Sequence, residues 1–245
     1  MILLDQNIYF LQWPLLAGIA GSMIHVFTGP DHLAAVMPFA VEHKKSSWKI
    51  GISWGTGHLV GMLLIGVLIM IFKQLIPFEQ ISAYSEFFVG FVLVGIGVWA
   101  IYRIRKSKPE HQHPHYHAET DEFHIHPHSH SHSVKPVHSH SHSDEVSVNK
   151  GVIGSFTVGV IHGFAGVAHF ILFLPMLGFN SVSQSVSYIA GFGIGTLSAM
   201  TFFAVVVGLL SSKSKKSTFK NAFLYLRYTA ALLALVVGFY WIFAN

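Results

Sequence analysis

Ile24-His25-Val26-Phe27-Thr28-Gly29-Pro30-Asp31-His32, followed by Pro38, returns as Ile161-His162-Gly163-Phe164-Ala165-Gly166-Val167-Ala168-His169, followed by Pro175. The offset is 137 residues at Ile, His, Phe, Gly, His and Pro alike. Histidine is costly to place in hydrocarbon. Two such pairs at equivalent depths in two half-chains therefore read as one functional centre built from an internal duplication, the pattern of a transporter core that carries metal ligands.

The surroundings of both motifs are those of a membrane protein. Of the 245 residues 52% are hydrophobic and only 11% are charged, a composition that a water-soluble domain of this length does not have. Mean hydropathy is +0.53. There is no cysteine, which removes disulfides, thiolate metal sites and dithiol electron transfer. The net charge of +4 is explained by topology, so nucleic acid is not implied as a partner.

A spanning helix needs roughly 20 mostly apolar residues. Six stretches qualify: residues 10–40, 50–72, 84–102, 151–177, 186–210 and 222–243. The first and fourth exceed one bilayer thickness and contain Gly29-Pro30 and Gly163 with Gly166, so each is expected to be broken or to include a re-entrant piece. Residues 1–10 lack a basic n-region, so no cleaved signal peptide is expected. The duplication extends to Trp54-Gly55-Thr56-Gly57-His58-Leu59 against Phe192-Gly193-Ile194-Gly195-Thr196-Leu197. Three spans per repeat is an odd number, so the second repeat enters the membrane from the opposite side. The expected fold is an all-α polytopic membrane protein of six transmembrane helices in two inverted three-helix repeats. Residues 1–102 form the first repeat, 103–150 a loop, and 151–245 the second repeat.

Lys44, Lys45 and Lys49, the 103–150 segment, and Lys213, Lys215, Lys216, Lys220 and Arg227 all fall on one side of such a fold; only Lys73 falls on the other. The positive-inside rule makes that side cytoplasmic. A multi-pass protein of the cytoplasmic membrane is expected, with both termini outside and the long loop inside.

Twelve of the 18 histidines lie in that loop, between His111 and His142. Few of its residues are apolar, so disorder is expected. Neutral imidazoles bind zinc, nickel, cobalt and copper, and a flexible run can hold several ions loosely. His126, His128, His130, His132, His138, His140 and His142 are the candidates for this low-affinity site, against the plainer reading of a polar linker.

His25, Asp31 and His32 are the sharpest site candidates. On a straight helix His25 and His32 lie about 10.5 Å apart, too far to share an ion at about 2 Å, but a break at Gly29-Pro30 shortens the distance. Thr28 is placed to cap the next half-helix with Asp31 in its first turn. Asp31 then either caps the helix only or presents an anionic oxygen to a cation. His58 follows a glycine-rich strip that admits a neighbouring helix, and is either a ligand or a packing residue. His162 and His169 inherit their case from the repeat, although Ala168 replaces Asp31, so the first half should dominate binding. Met23, Met37, Met62, Met176 and Met200 are read as packing, with thioether ligation the alternative.

The stretch from His25 to Ala35, with Trp54-Gly55-Thr56-Gly57-His58 and Ile161-His162-Gly163-Phe164-Ala165-Gly166, resembles the nickel/cobalt transporter superfamily, especially its urease-accessory-like membrane branch. The 103–150 loop is similar to the histidine-rich loop of the nickel/cobalt efflux branch. The resemblance implies that His25, Asp31 and His32 are transport ligands. One departure stands out: the uptake permeases separate their first His from Asp-His by four residues, and here five intervene.

The expected function is transport of nickel or cobalt, with zinc as alternative substrate, by a secondary transporter or permease that is not an enzyme. Imidazole plus carboxylate without thiolate suits these ions and argues against calcium and magnesium. No prosthetic group and no nucleotide-binding motif is expected, so an ion gradient or a partner drives the flux; protons are a natural choice because His and Asp lose protons on binding metal. Metal ions, the bilayer and a cytoplasmic metallochaperone are the expected partners. A membrane-embedded metalloenzyme, or a metal sensor or storage protein, is the reading from another class. No His-Glu-x-x-His helix supports the enzyme.

Overall fold

The computed structural model describes residues 13–72, 78–106, 111–117, 122–128, 143–165, 172, 175, 178–215 and 221–244. Among the described residues, seven α-helices carry the fold: α1 (Pro14–Thr28), α2 (Pro30–Glu42), α3 (Ser47–Phe72), α4 (Phe78–Lys106), α5 (Ser143–Ala165), α6 (Val182–Lys215) and α7 (Ala222–Phe243), with a 3-10 turn at Lys44–Ser46 between α2 and α3. Among the described residues, four segments are long and apolar enough to cross a membrane: Lys44–Leu68, Phe87–Lys106, Val182–Ser214 and Ala222–Phe243; Pro14–Thr28 is a shorter apolar helix. The helices are apolar on the outside as well as within. Leu63, Val67, Phe88, Phe91, Phe202 and Val236 are all exposed, whereas Ser22, Asp31, His32, His58, His162 and Thr196 are buried. Such an inside-out distribution suits hydrocarbon as the surrounding solvent, where apolar surface carries no penalty and polar groups are kept among protein partners.

Several boundaries differ from those read in the sequence. The long first span is broken as expected, into α1 and α2. Gly29 is the hinge, with φ −83° and ψ 99°, and its N–H donates to the carbonyl of His25 at 2.9 Å. Thr28 is not the cap: it closes α1, and its hydroxyl donates back to the carbonyl of Ile24 at 2.8 Å. A Thr in the last helical turn finds that carbonyl without leaving the helix, whereas capping α2 would have required it to adopt the extended conformation that Gly29 takes. In the fourth span Gly163 lies inside α5 and does not break it. α5 ends at Ala165, and Leu172, Pro175 and residues 178–181 stand outside α-helix. The 103–150 segment is not structureless either, because α4 runs to Lys106, α5 starts at Ser143, and β1 (His111–His117) pairs antiparallel with β2 (Glu122–His128). In these strands His alternates with Gln112, Pro114 and Tyr116 and with Phe123, Ile125 and Pro127, which is strand periodicity.

The helices pair across the two halves of the chain. α1 packs on α6, α3 on α5, and α4 on α7, and these are the three most extensive helix contacts. Small residues make the approaches close. A Cβ on Gly57 or Gly61 of α3 would run into the backbone of α5 at Phe156 and Val160, and one on Gly159 or Gly163 of α5 into α3 at Trp54 and His58. Gly18 of α1 and Gly191 of α6 repeat the arrangement in the α1–α6 pair, against Tyr188 and Leu15. Small residues at i and i+4 on facing helices let backbones touch, which is how helices associate where no hydrophobic force drives them together. The core centres on Val26, Ala34, Phe39, Trp54, Leu93 and Met200, at the meeting of α1, α2, α3, α4 and α6.

Candidate metal centre

The hinge at Gly29 folds α2 back so that residues seven apart in sequence meet. The rings of His25, in the last turn of α1, and His32, in the first turn of α2, have centroids 4.6 Å apart. A Cβ at position 29 would lie 2.7 Å from Nδ1 of His32 and 2.9 Å from Oδ1 of Asp31, so glycine is the residue that this corner admits. The glycine contacts of α5 on α3 then bring in two more imidazoles. His58 and His162 stand with ring centroids 5.6 Å apart, and His32 lies 5.0 Å from His58 and 4.9 Å from His162.

Asp31 is the only carboxylate here among the described residues, and both its oxygens are engaged. Nδ1 of His32 is 3.0 Å from Oδ1, and Nε2 of His162 is 3.1 Å from Oδ2. An ionised carboxylate only accepts hydrogen bonds, so the Nδ1–H of His32 donates, while Nε2 of His162 stands within ion-pair distance. His32, His58 and His162 are wholly buried, Asp31 is 3% exposed and His25 is half-buried. A lone carboxylate at such a position would face a desolvation cost of several kcal/mol, which the hydrogen bond from His32 and the nearby ring of His162 offset.

Among the described residues, two sets of three ligand-bearing residues come within metal-binding reach: His25, His32 and His58, and Asp31, His32 and His162, the candidate atoms of each set lying within 4.8 Å of one another. They are nitrogen and oxygen donors in a pocket closed by aromatic walls. Trp54, wholly buried, stacks on His58 at 5.0 Å with 13° between the planes and tilts against His32 and His162. The donor chemistry fits a first-row divalent ion such as nickel, cobalt or zinc.

Five of the six core histidines and acids expected from the sequence are thus brought together: His25, Asp31, His32, His58 and His162. His169 lies outside the described residues, as do His130, His132, His138, His140 and His142. His126 and His128 fall on β2. Asp31 is not a bare cap, since its carboxylate reaches across to α5. Met62 and Met200 sit in apolar clusters, in keeping with the packing reading. Trp54 was noted in the sequence only as part of a glycine strip. Its place one helical turn before His58 was the available signal that its ring shares the histidine's face. Thr196, which the repeat sets opposite His58, is also fully buried.

Residues 14–240 match the cytochrome c biogenesis protein transmembrane region family. The chain belongs to that family. Its lack of cysteine means that no thiol electron transfer runs through this member. Among curated relatives, the urease accessory protein UreH of Bacillus sp. (strain TB-90) is 29% identical over 201 residues, 80% of this chain and 77% of that protein, in line with the urease-accessory-like resemblance of the motifs. The chloroplast proteins FOR GROWTH AND FERTILITY 2 and 1 of Arabidopsis thaliana are 28% and 27% identical over 202 residues, 81% of this chain. The chain spans about half the length of these two, 48% and 50%. No solved structure matches the chain.

Proposed function

We propose that the protein is a permease for a divalent transition-metal ion, nickel first and cobalt or zinc next, which crosses the membrane through the centre of His25, Asp31, His32, His58 and His162. The observation that carries this reading is the convergence of four imidazoles and one carboxylate inside an apolar bundle, from α1, α2, α3 and α5. An intramembrane cluster of this kind marks an ion pathway far more readily than a structural role. The motif resemblance to the nickel/cobalt superfamily puts nickel and cobalt ahead of zinc.

The architecture proposed is six spans in two inverted repeats, α1 and α2 together forming the first span. The exchange of partners between the halves supports it: α1 with α6, α3 with α5 and α4 with α7 is what a two-fold axis in the membrane plane generates. The repeat makes His169 the counterpart of His32 and a further ligand in this proposal. Basic residues place the histidine-rich segment in the cytoplasm, where it collects metal loosely and where a metallochaperone would meet it. The site would also serve a sensor or an enzyme, and flux separates these readings. Purified protein in sealed vesicles should carry nickel or cobalt down an imposed gradient, and Asp31→Asn should stop it. Metal binding at the centre without flux in the wild type would favour sensing or storage.

A further inference from the structure

The two ligand sets share one residue. His32 belongs both to the His25–His32–His58 set and to the Asp31–His32–His162 set. We infer that these are two successive stations for a single ion, which passes from one edge of the His32 ring to the other. The inference rests on the transport reading and adds its internal step.

The ring geometry makes the two stations mutually exclusive. Nδ1 of His32 is held by Asp31 at 3.0 Å, so an ion shared with His25 and His58 is taken by Nε2. In this first station Asp31 is no ligand. It accepts N–H from His32, which fixes the tautomer and orientation of that ring as outer carboxylates do for metal-bound imidazoles, and its other oxygen lies 3.1 Å from Nε2 of His162. In the second station the ion takes the place of the proton between Asp31 and His32: it binds a carboxylate oxygen of Asp31, Nδ1 of His32 and Nε2 of His162. Each of the two rings then carries its single proton on its other nitrogen. The rings remain neutral and the proton count of the centre is unchanged; only the tautomers exchange. The carboxylate turns from hydrogen-bond acceptor into ligand, so the ion moves from an all-nitrogen to a mixed nitrogen and oxygen environment. Two ions cannot be held at once, because one neutral imidazole offers one lone pair. A relay of weak, overlapping sites also answers the requirement that a pathway bind its ion firmly enough to admit it and loosely enough to let it go.

Cobalt(II) bound to the full-length protein reports the two environments through its visible absorption. His32→Ala, which removes the shared ligand and leaves the histidine-rich segment intact, supplies the baseline. The difference between wild type and His32→Ala should be one cobalt per chain. His162→Ala and Asp31→Asn should keep that cobalt within about tenfold in affinity, with an all-nitrogen spectrum, while flux falls at least about a hundredfold. His25→Ala and His58→Ala should keep it with the spectrum shifted to mixed nitrogen and oxygen ligation, again without flux. Joint loss of binding in all four variants would mean one five-ligand site and overturn the relay, leaving the transport reading intact if wild type still carries metal. Two cobalt ions in the difference would overturn it as well. Identical binding by wild type and His32→Ala would overturn both the relay and the site on which transport rests.

Discussion

Asp31 of the first half and His162 of the second meet with 3.1 Å between carboxylate oxygen and ring nitrogen, so the ligand set that contains the acid exists only when both halves are assembled. The His25–His32–His58 set lies wholly within the first half, whereas the Asp31–His32–His162 set needs both, and the second half has alanine where the first has Asp31. The acid is therefore the point at which folding and metal chemistry meet.

Asp31→Asn changes charge with little change in volume. The amide oxygen still accepts from one imidazole, so the protein should fold and resist heat nearly as wild type does in the absence of metal. Flux should fall at least about a hundredfold, because a buried charge opposite the ion is lost. Nickel flux into vesicles, measured beside the melting temperature, checks this. Normal flux in the variant would make Asp31 structural, since loss of a mere cap costs only about 1 kcal/mol.

Gly163 is tested by the smallest possible change. In Gly163→Ala the added methyl meets the carbonyl of His58, and the α3 backbone cannot yield without moving His58 away from His162. Overpacking of this kind costs about 1–3 kcal/mol, and it should lower the melting temperature and the metal affinity together. Gly95 faces open space, so Gly95→Ala is the control that should change neither.

Glu42 at the end of α2 and Arg227 in α7 form a largely buried ion pair, 2.6 Å from Oε1 to Nε. Removing one partner leaves the other uncompensated, so Glu42→Gln or Arg227→Met should each destabilise the protein, by up to about 3–5 kcal/mol for a fully buried pair and less here, where Glu42 keeps some exposure. Replacing both with apolar residues should recover most of the loss. A double-mutant cycle in detergent measures the coupling, and additive losses would show that the pair does not hold α2 to α7.

The helical, multi-pass fold and the polar residues that it gathers into one cluster were legible because hydrocarbon imposes a simple code: long apolar runs, and a few polar residues that stand out against them. The hinge was legible too, since Gly29-Pro30 interrupts an apolar run. What could not be read was distance. That His162 pairs with Asp31, and that two ligand sets overlap on His32, follow from the contact of α5 with α3, which Gly57, Gly61, Gly159 and Gly163 permit but do not announce. Thr28 misled because Ser and Thr caps and Ser and Thr back-bonds to the i−4 carbonyl look alike in sequence. The β1–β2 pair was missed because histidine density drew the eye from the alternation of Tyr116, Phe123 and Ile125 with it.

Deleting residues 111–142 removes both strands and twelve histidines but none of the five residues at the centre. The shortened protein should fold and transport, with lower apparent affinity at low metal, because a tethered reservoir raises the local concentration of ion without forming the path. Nickel uptake measured against nickel concentration should show the loss at the low end only. Abolished flux in a well-folded deletion would place the segment in the pathway itself.

The last prediction concerns orientation, and the natural absence of cysteine makes it clean. Basic residues cluster after α2, along 103–150 and between α6 and α7, and the positive-inside rule puts all three on the cytoplasmic side. A single cysteine introduced at Ser107 should then be shielded from an impermeant thiol reagent in intact cells and react after permeabilisation. One at Asn245 should react in both. In the six-span reading three spans, α5 to α7, separate the two positions, so the two labels report opposite faces. The reverse pattern would turn the molecule over in the membrane and place the histidine-rich segment outside, where it would gather metal before entry and not from the cytoplasm.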